Sequence, residues 1–404
     1  MIEKGLEVEI EIFDVAFGGK GCGRLEDGRI CFVPFTAPGD TVKVEITNVH
    51  KRHCEAKLVE LVTPSANRVA AKCEYYETCG GCDYQHIAYG TQVELKKAQF
   101  ENILKRIGQI EELPEDFEIV PSPKQFNYRN KITLAPFQNN SGRFTYGFVG
   151  VNHNDRIAIK QCEIADEEIN KLIPKAHKTP WARKNEAKER PQKATARKAA
   201  GDDAIIFYGY APKNIPWSKE SINNKEVRVP LGSFYQINPE MAEILFNKVS
   251  DWTKDLDVDF VIDAFCGSGF LSLAIEGKRT LGLEIDEQAV EVARHNAEQW
   301  GHKNHRYQAA DVNKSLKKHL RKDKNKKLLI LDPPRAGFSK ESATIIAKVQ
   351  PEFILYVSCE PSTLARDLKG LNVGSKYELK KAAALDMFPQ TSHFESMVLL
   401  ELKK

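Results

Sequence analysis

Phe260-Val261-Ile262-Asp263-Ala264-Phe265-Cys266-Gly267-Ser268-Gly269 runs an apolar strand into a glycine loop. Such a loop lets backbone approach a nucleotide, and the next apolar run, Thr280-Leu281-Gly282-Leu283-Glu284, ends on an acid suited to ribose hydroxyls. Two further apolar runs, Leu328 to Asp332 and Phe353 to Val357, follow with helical patterns between them, including Asp286 to Trp300. Asn238-Pro239 caps a helix reaching about Lys254, and Ser396 to Glu401 reads as the last strand. Strands alternating with helices predict a parallel sheet covered on both faces. The expected fold class from about residue 226 is therefore α/β, doubly wound and Rossmann-like.

The loop has one glycine fewer than the dinucleotide fingerprint, which uses its third for pyrophosphate and helix packing. That deficit favours a nucleotide cofactor without a pyrophosphate, and S-adenosylmethionine fits. Glu284 would take the ribose, Asp311 would lie near the adenine, and Asp332 of Asp332-Pro333-Pro334 would lie beside the reacting methyl. Ordinary strand-to-helix turns in another doubly wound domain are the competing reading. Cys266 is expected to be a packing residue.

Tyr356-Val357-Ser358-Cys359-Glu360-Pro361 sets one thiol where a strand meets a helix start. Pro361 suits the first helical turn, and the positive helix end is expected to favour thiolate at Cys359. A sulfonium methyl passes easily to a good nucleophile, but C5 of a pyrimidine is nearly inert carbon. Thiolate addition at C6 makes C5 enolate-like, and a separate base must later remove the C5 proton. Glu395, just before the last strand, is the candidate base.

Toward the N-terminus, residues 1–63 alternate apolar and polar positions between Gly/Pro turns, which predicts a small closed β-barrel of the kind that holds single-stranded nucleic acid. Cys22, Cys31 and Cys54 would pack in or beside it. Residues 64–225 read as a mixed α+β central domain, and 226–404 as the third domain. The central region opens on Cys73-x5-Cys79-Gly80-Gly81-Cys82, and Cys162 can return as a fourth thiol. Four soft ligands suit zinc or an iron-sulfur centre, and spacing does not decide between them. Phe126-Asn127-Tyr128-Arg129-Asn130-Lys131 mixes aromatic and basic residues in the manner of an RNA groove. Residues 174–202, rich in Lys, Ala and Arg, are expected to be an exposed helix or a disordered insertion.

The net charge is only +3, but Lys171 to Lys198 holds ten Lys/Arg against two Glu, a distribution that suits an anionic partner. No run approaches the roughly 18 apolar residues of a membrane span. Nine cysteines without a recognisable signal peptide point to a reducing cytoplasm and to metal or catalytic use rather than disulfides.

The series Phe234-Tyr235-Gln236-Ile237-Asn238, Asp263 to Gly269, Asp332-Pro333-Pro334-Arg335, Ser358-Cys359-Glu360-Pro361 and His393-Phe394-Glu395 resembles the RNA 5-methyluridine methyltransferases. The barrel resembles their TRAM domain. The resemblance implies that Gln236, Phe265, Glu284, Asp311 and Asp332 contact S-adenosylmethionine, that Cys359 is the nucleophile and that Glu395 accepts the proton. It also implies a [4Fe-4S] cluster on Cys73, Cys79, Cys82 and Cys162, as in the family's ribosomal RNA members. The implied partner is RNA, 23S rRNA ahead of tRNA, and a monomer is expected. Phe270 departs from members that carry Asn after the glycine loop. Two other readings compete: amino-group methylation, which leaves Cys359 idle and lacks the aromatic residue expected where Arg335 stands, and a non-catalytic RNA-binding iron-sulfur protein.

Overall fold

The computed structural model of the 404-residue chain describes residues 2–139, 141–142, 144–177, 192–198, 204–209, 217–321 and 324–403. Five N-terminal strands, Glu7–Val15, Lys20–Arg24, Ile30–Pro34, Thr41–Val49 and His53–Thr63, close into a barrel. The period-2 pattern is the cause: Ile10, Ile12, Val42, Val44 and Ile46 all point inward, where Cys31 and Cys54 are also fully buried.

The largest sheet has eight strands. Its order is His305–Ala309, Arg279–Glu284, Phe260–Ala264, Lys327–Leu331, Phe353–Ser358, Glu395–Leu402, Tyr377–Leu385 and Glu118–Val120. The first five run parallel, and Glu395–Leu402 is antiparallel to both its neighbours. Near-continuous apolar strands are what a sheet buried on both faces requires. Val261, Leu328, Ile330, Leu355, Val357 and Met397 face one core, which the helix Pro239–Thr253 covers with Met241, Leu245, Phe246 and Val249. Ile262, Leu329, Leu331, Ile354, Tyr356 and Val398 face the other.

Helix Tyr89–Arg106 packs Phe100, Ile103 and Leu104 into that second core, so residues preceding the α/β pattern help to build it. It is pinned by a fully buried ion pair, Lys96 Nζ to Asp386 Oδ1 at 2.6 Å, and Lys96 also donates to the Phe388 carbonyl at 3.2 Å.

A five-stranded antiparallel sheet fills the centre of the chain, in the order Ala204–Tyr208, Ala194–Lys198, Lys131–Gln138, Phe144–Val149 and Arg156–Ile157. It corrects the reading of 174–202. Ile173–Ala176 is a helical turn, and Ala194–Lys198 is an inner strand whose Ala194, Ala196 and Arg197 are buried, while 178–191 and 199–202 lie outside the described residues. Two small alanines carry little hydrophobic signal, yet they let neighbouring elements close on them. The stretch 126–131 also turns largely inward: Tyr128 and Asn130 are buried, Tyr128 Oη donates to the Pro389 carbonyl, and Lys131 Nζ donates to the Ser233 carbonyl. Of that stretch Phe126 lies under the Lys72 ammonium, 4.9 Å from its ring centre.

Candidate active site

Parallel strands deliver their carboxyl ends to one edge of the sheet, where ligands of open α/β folds bind. Here Asp263, Glu284 and Asp332 arrive at that edge on three strands or just past them. Glu284 is held by backbone: Oε2 accepts from Gly267 N at 3.1 Å, and Oε1 accepts from Ile285 N at 2.7 Å and Asp286 N at 3.0 Å. The turn is tight. Phe265 takes a left-handed φ of 68°, and Gly269, at φ 84°, has Tyr307 Oη where a Cβ would come within 3.0 Å.

Asp263 is fully buried. Its Oδ2 accepts from Ser272 N at 3.2 Å and its Oδ1 has no partner. Burial, opposed by the Ser272 bonds, raises its carboxyl to about 7. Burial together with the charges of Asp263 and Glu284 raises Asp332 to about 7 as well. An enclosed, acid-lined edge with an unpartnered carboxylate oxygen fits a cationic nucleotide-like ligand, and a sulfonium nucleoside has that character. Gln236 is buried, and its backbone carbonyl accepts from Asn130 Nδ2 at 3.1 Å. Asp311 lies just past the strand paired with Glu284, where Ala310 N donates to the Glu284 carbonyl at 2.7 Å; it caps helix Val312–His319 through Asn313 N at 3.0 Å and pairs with Lys314 at 3.4 Å.

Cys359 follows Phe353–Ser358 directly and precedes helix Pro361–Gly370, with Pro361 in its first turn. The antiparallel register pairs Val357 with Met397 and Ser358 with Ser396; one step further, Cys359 comes opposite Glu395. Ser396 Oγ locks the end of the ladder by donating to the Ser358 carbonyl at 2.7 Å. Burial, then the nearby charge of Glu395, push the Cys359 thiol up to about 11, while the Arg335 guanidinium pulls it down. Burial and the neighbouring carboxylate thus oppose the thiolate that the helix start was expected to favour. Glu395 is buried, and burial with the adjacent Asp332 raises its carboxyl well above the usual range, Arg335 again opposing. Arg335 was quoted in the sequence as part of a motif but given no role there; its position beside both groups depends on tertiary contact. Arg366, in contrast, is structural, donating to Asp367 and to the Ala336 carbonyl.

The four remaining predicted residues gather elsewhere. Cys73, Cys79, Cys82 and Cys162 line one cavity of about 540 Å³, together with Arg129 and Phe148. Cys79 bridges to Gly150 at the end of Phe144–Val149, and Cys162 N donates to Asn170 Oδ1 at 2.8 Å. Arg129 Nε is enclosed without a partner, and its positive charge acts on Cys79, Cys82 and Cys162. Among the described residues, no three His, Cys, Asp or Glu side chains are arranged to hold a single metal ion. Nor is any described helix long and apolar enough to cross a membrane.

Doubly wound sheet, glycine loop and acid-lined edge together define a methyltransferase fold. The family model for tRNA (Uracil-5-)-methyltransferase matches residues 218–403, and that for the TRAM domain matches residues 3–59. An uncharacterized RNA methyltransferase of Protochlamydia amoebophila is 32% identical, covering 98% of each chain, and one of Aquifex aeolicus is 31% identical over the full length of both. The crystal structure of Pyrococcus abyssi tRNA (uracil-54, C5)-methyltransferase in complex with S-adenosyl-L-homocysteine matches with a TM-score of 0.73 and 25% identity, covering 97% of this chain and all of the other. This chain belongs to the RNA uracil-5-methyltransferase family, with an N-terminal TRAM barrel, and is an S-adenosylmethionine-dependent enzyme.

Proposed function

We propose that the chain methylates C5 of a uridine in RNA through a covalent adduct at Cys359 that Glu395 resolves. The observation that carries this reading is the strand register that sets Cys359 opposite Glu395, beside Asp332 and within the field of Arg335. S-adenosylmethionine, held along Gln236, Phe265, Glu284, Asp311 and Asp332, supplies an electrophilic methyl group. The Cys359 thiol gives its proton to solvent, and the sulfur then forms a bond to uracil C6 and drives electrons toward C5. C5 takes the methyl group, and the donor leaves as the neutral thioether. Glu395 then accepts the C5 proton, the C5–C6 double bond re-forms, and the Cys359–C6 bond breaks to release the thiolate. Burial makes Glu395 a stronger base for this task once its carboxyl has ionised, which it must do before the C5 proton arrives.

Residues 1–63 and the central region would hold the RNA, and Cys73, Cys79, Cys82 and Cys162 would hold a [4Fe-4S] cluster. Four thiols around one cavity, faced by the Arg129 cation, are a donor set such a cluster takes. It would staple the central loop; methyl transfer and proton removal consume no electrons.

The preferred substrate is 23S rRNA, because a barrel joined to this cysteine cluster matches the family's ribosomal members. A second reading, methylation of the tRNA T-loop, is favoured by the full-length likeness to an archaeal enzyme whose name specifies uracil-54 of tRNA. Both are tested by mapping 5-methyluridine in rRNA and tRNA from cells with and without the gene. Loss from one 23S site supports the first and loss from tRNA the second, whereas an unchanged 5-methyluridine content in both RNAs refutes the activity. Incubation with 5-fluorouracil-containing RNA and donor tests the mechanism, since a covalent protein–RNA adduct is expected only from the Cys359 route.

A further inference from the structure

The segment Asp386 to Phe394 leads directly into Glu395, and it is not held by the sheet alone. Asp83, the residue after Cys82, accepts at Oδ2 from Ser392 N at 3.0 Å and from Ser392 Oγ at 2.8 Å. Asp83 N and Tyr84 N both donate to the Gln390 carbonyl, at 3.1 and 3.0 Å. Gln390 has a left-handed φ of 68°, a conformation that a residue with a Cβ keeps only when its surroundings impose it. A reciprocal amide pair imposes it further: Gln92 Nε2 donates to Gln390 Oε1 at 3.0 Å, and Gln390 N donates to Gln92 Oε1 at 3.2 Å. The far side of Asp83 is anchored as well, since Tyr76 Oη donates to its carbonyl at 2.8 Å.

A turn of the barrel closes the arrangement. Gly19, at φ 88°, lies so near Asp83 that a Cβ there would come within 2.7 Å of the Asp83 Cβ. Phe17 meets His393 and Phe394 edge-on, with ring centres 6.3 and 5.8 Å apart. The cysteine loop and the barrel therefore both end on the few residues that precede Glu395.

We propose that Asp83 is a positioning residue for the proton-removal step: its carboxylate fixes Ser392 and thereby sets Glu395 against C5 of the substrate uridine. The cysteine loop is thus coupled to catalysis through a direct hydrogen-bond path, in addition to any grip on RNA. This inference rests on the covalent reading given above. A misplacement of the base by about 1 Å can cost on the order of 100-fold in rate. It would leave nucleophilic addition and methyl transfer largely intact, so the signature is a step-specific stall.

The test uses the full-length protein, RNA substrate and donor, with Asp83→Ala, Asp83→Asn and Ser392→Ala measured beside Glu395→Gln. For Asp83→Ala we expect kcat to fall about 10- to 100-fold while KM for RNA stays within about twofold. A denaturation-stable protein–RNA adduct should build up with ordinary uridine RNA. Asp83→Asn keeps an acceptor oxygen for Ser392 and should recover most of the rate. Ser392→Ala loses the hydroxyl bond but keeps the backbone bond, and should show a smaller stall of the same kind. If Asp83→Ala does not fold, the adduct level in Ser392→Ala decides. A kcat within twofold of wild type in the folded Asp83 variant, or a fall in kcat with no rise in adduct, overturns the proposal. Failure of Glu395→Gln itself to accumulate adduct would instead overturn the covalent reading on which it depends.

Discussion

Cys359 and Glu395 lie one step beyond the Ser358–Ser396 pair, the last rung of an antiparallel ladder. Strands on adjacent tracks cannot slip by one residue without turning every buried side chain of Glu395–Leu402 to the wrong face. The backbone spacing of the two residues is therefore fixed by the core, while the segment leading into Glu395 aims its carboxyl. Ser396 and Ser358 reinforce it through the bond between hydroxyl and carbonyl.

Cys359→Ala should abolish methylation while donor affinity stays near wild type, because the thiol forms the bond to uracil and does not hold the nucleoside. Loss of a covalent catalyst costs several orders of magnitude, so a residual rate above about one per cent of wild type would exclude Cys359 as the nucleophile. Single-turnover methyl transfer and equilibrium donor binding measure the two halves.

Glu395→Gln should permit addition and methyl transfer but slow proton removal by about 10²- to 10⁴-fold, the usual contribution of a positioned base. Gel mobility after denaturation reads the trapped adduct. Normal turnover with no adduct would mean that another group takes the proton.

The sequence was informative where chemistry sits at strand ends. An apolar run stopping at Asp332 or at Cys359, or starting just after Glu395, marks both the strand and the sheet edge where that residue sits. It was uninformative where position depends on distant partners. Asp83 and Ser392 are separated by 309 residues and neither belongs to a recognisable motif. At Cys359 the helix start is local and visible in the sequence, whereas the burial and the charge of Glu395 that push the thiol up are tertiary. Tyr377–Leu385 shows the limit of propensity: Lys380, Lys381 and three consecutive alanines favour a helix, yet strands on both sides recruit the segment into the sheet.

Asp263 and Asp332 give a pH dependence with a definite sign. Both carboxyls are raised from an ordinary value near 3.8 to about 7, so the folded protein binds protons that the unfolded chain has released. Their contribution to stability is complete below pH 4 and is lost as the pH rises through 7. Asp263→Asn should flatten that part of the Tm profile between about pH 4 and 7. Donor binding should act in the opposite sense: a cationic sulfonium favours the ionised carboxylates, so below about pH 7 binding releases protons and S-adenosylmethionine affinity rises with pH, levelling off above 7. S-adenosylhomocysteine, which lacks the charge, should show a weaker effect. Titration calorimetry in buffers of different ionisation heat reads the proton count, and an affinity equally flat for both ligands would refute the linkage.

The cysteine cavity yields the most direct chemical test. Protein purified without oxygen should be brown and should contain about four iron and four sulfide per chain if Cys73, Cys79, Cys82 and Cys162 carry a [4Fe-4S] centre. Replacing any one of the four should lower the iron content and the Tm of the central region, because Cys79 is tied to the five-stranded sheet at Gly150 and Cys162 to the helix residue Asn170. Arg129→Met should also weaken cluster retention, since it removes the enclosed cation whose field reaches three of the thiols. The acid-lined edge is built on different strands, so donor affinity should survive each of these changes. Zinc in stoichiometric amount with no acid-labile sulfide would replace the iron-sulfur centre by a single-metal staple, and would require the cavity walls to draw together, because tetrahedral zinc holds each sulfur at about 2.3 Å.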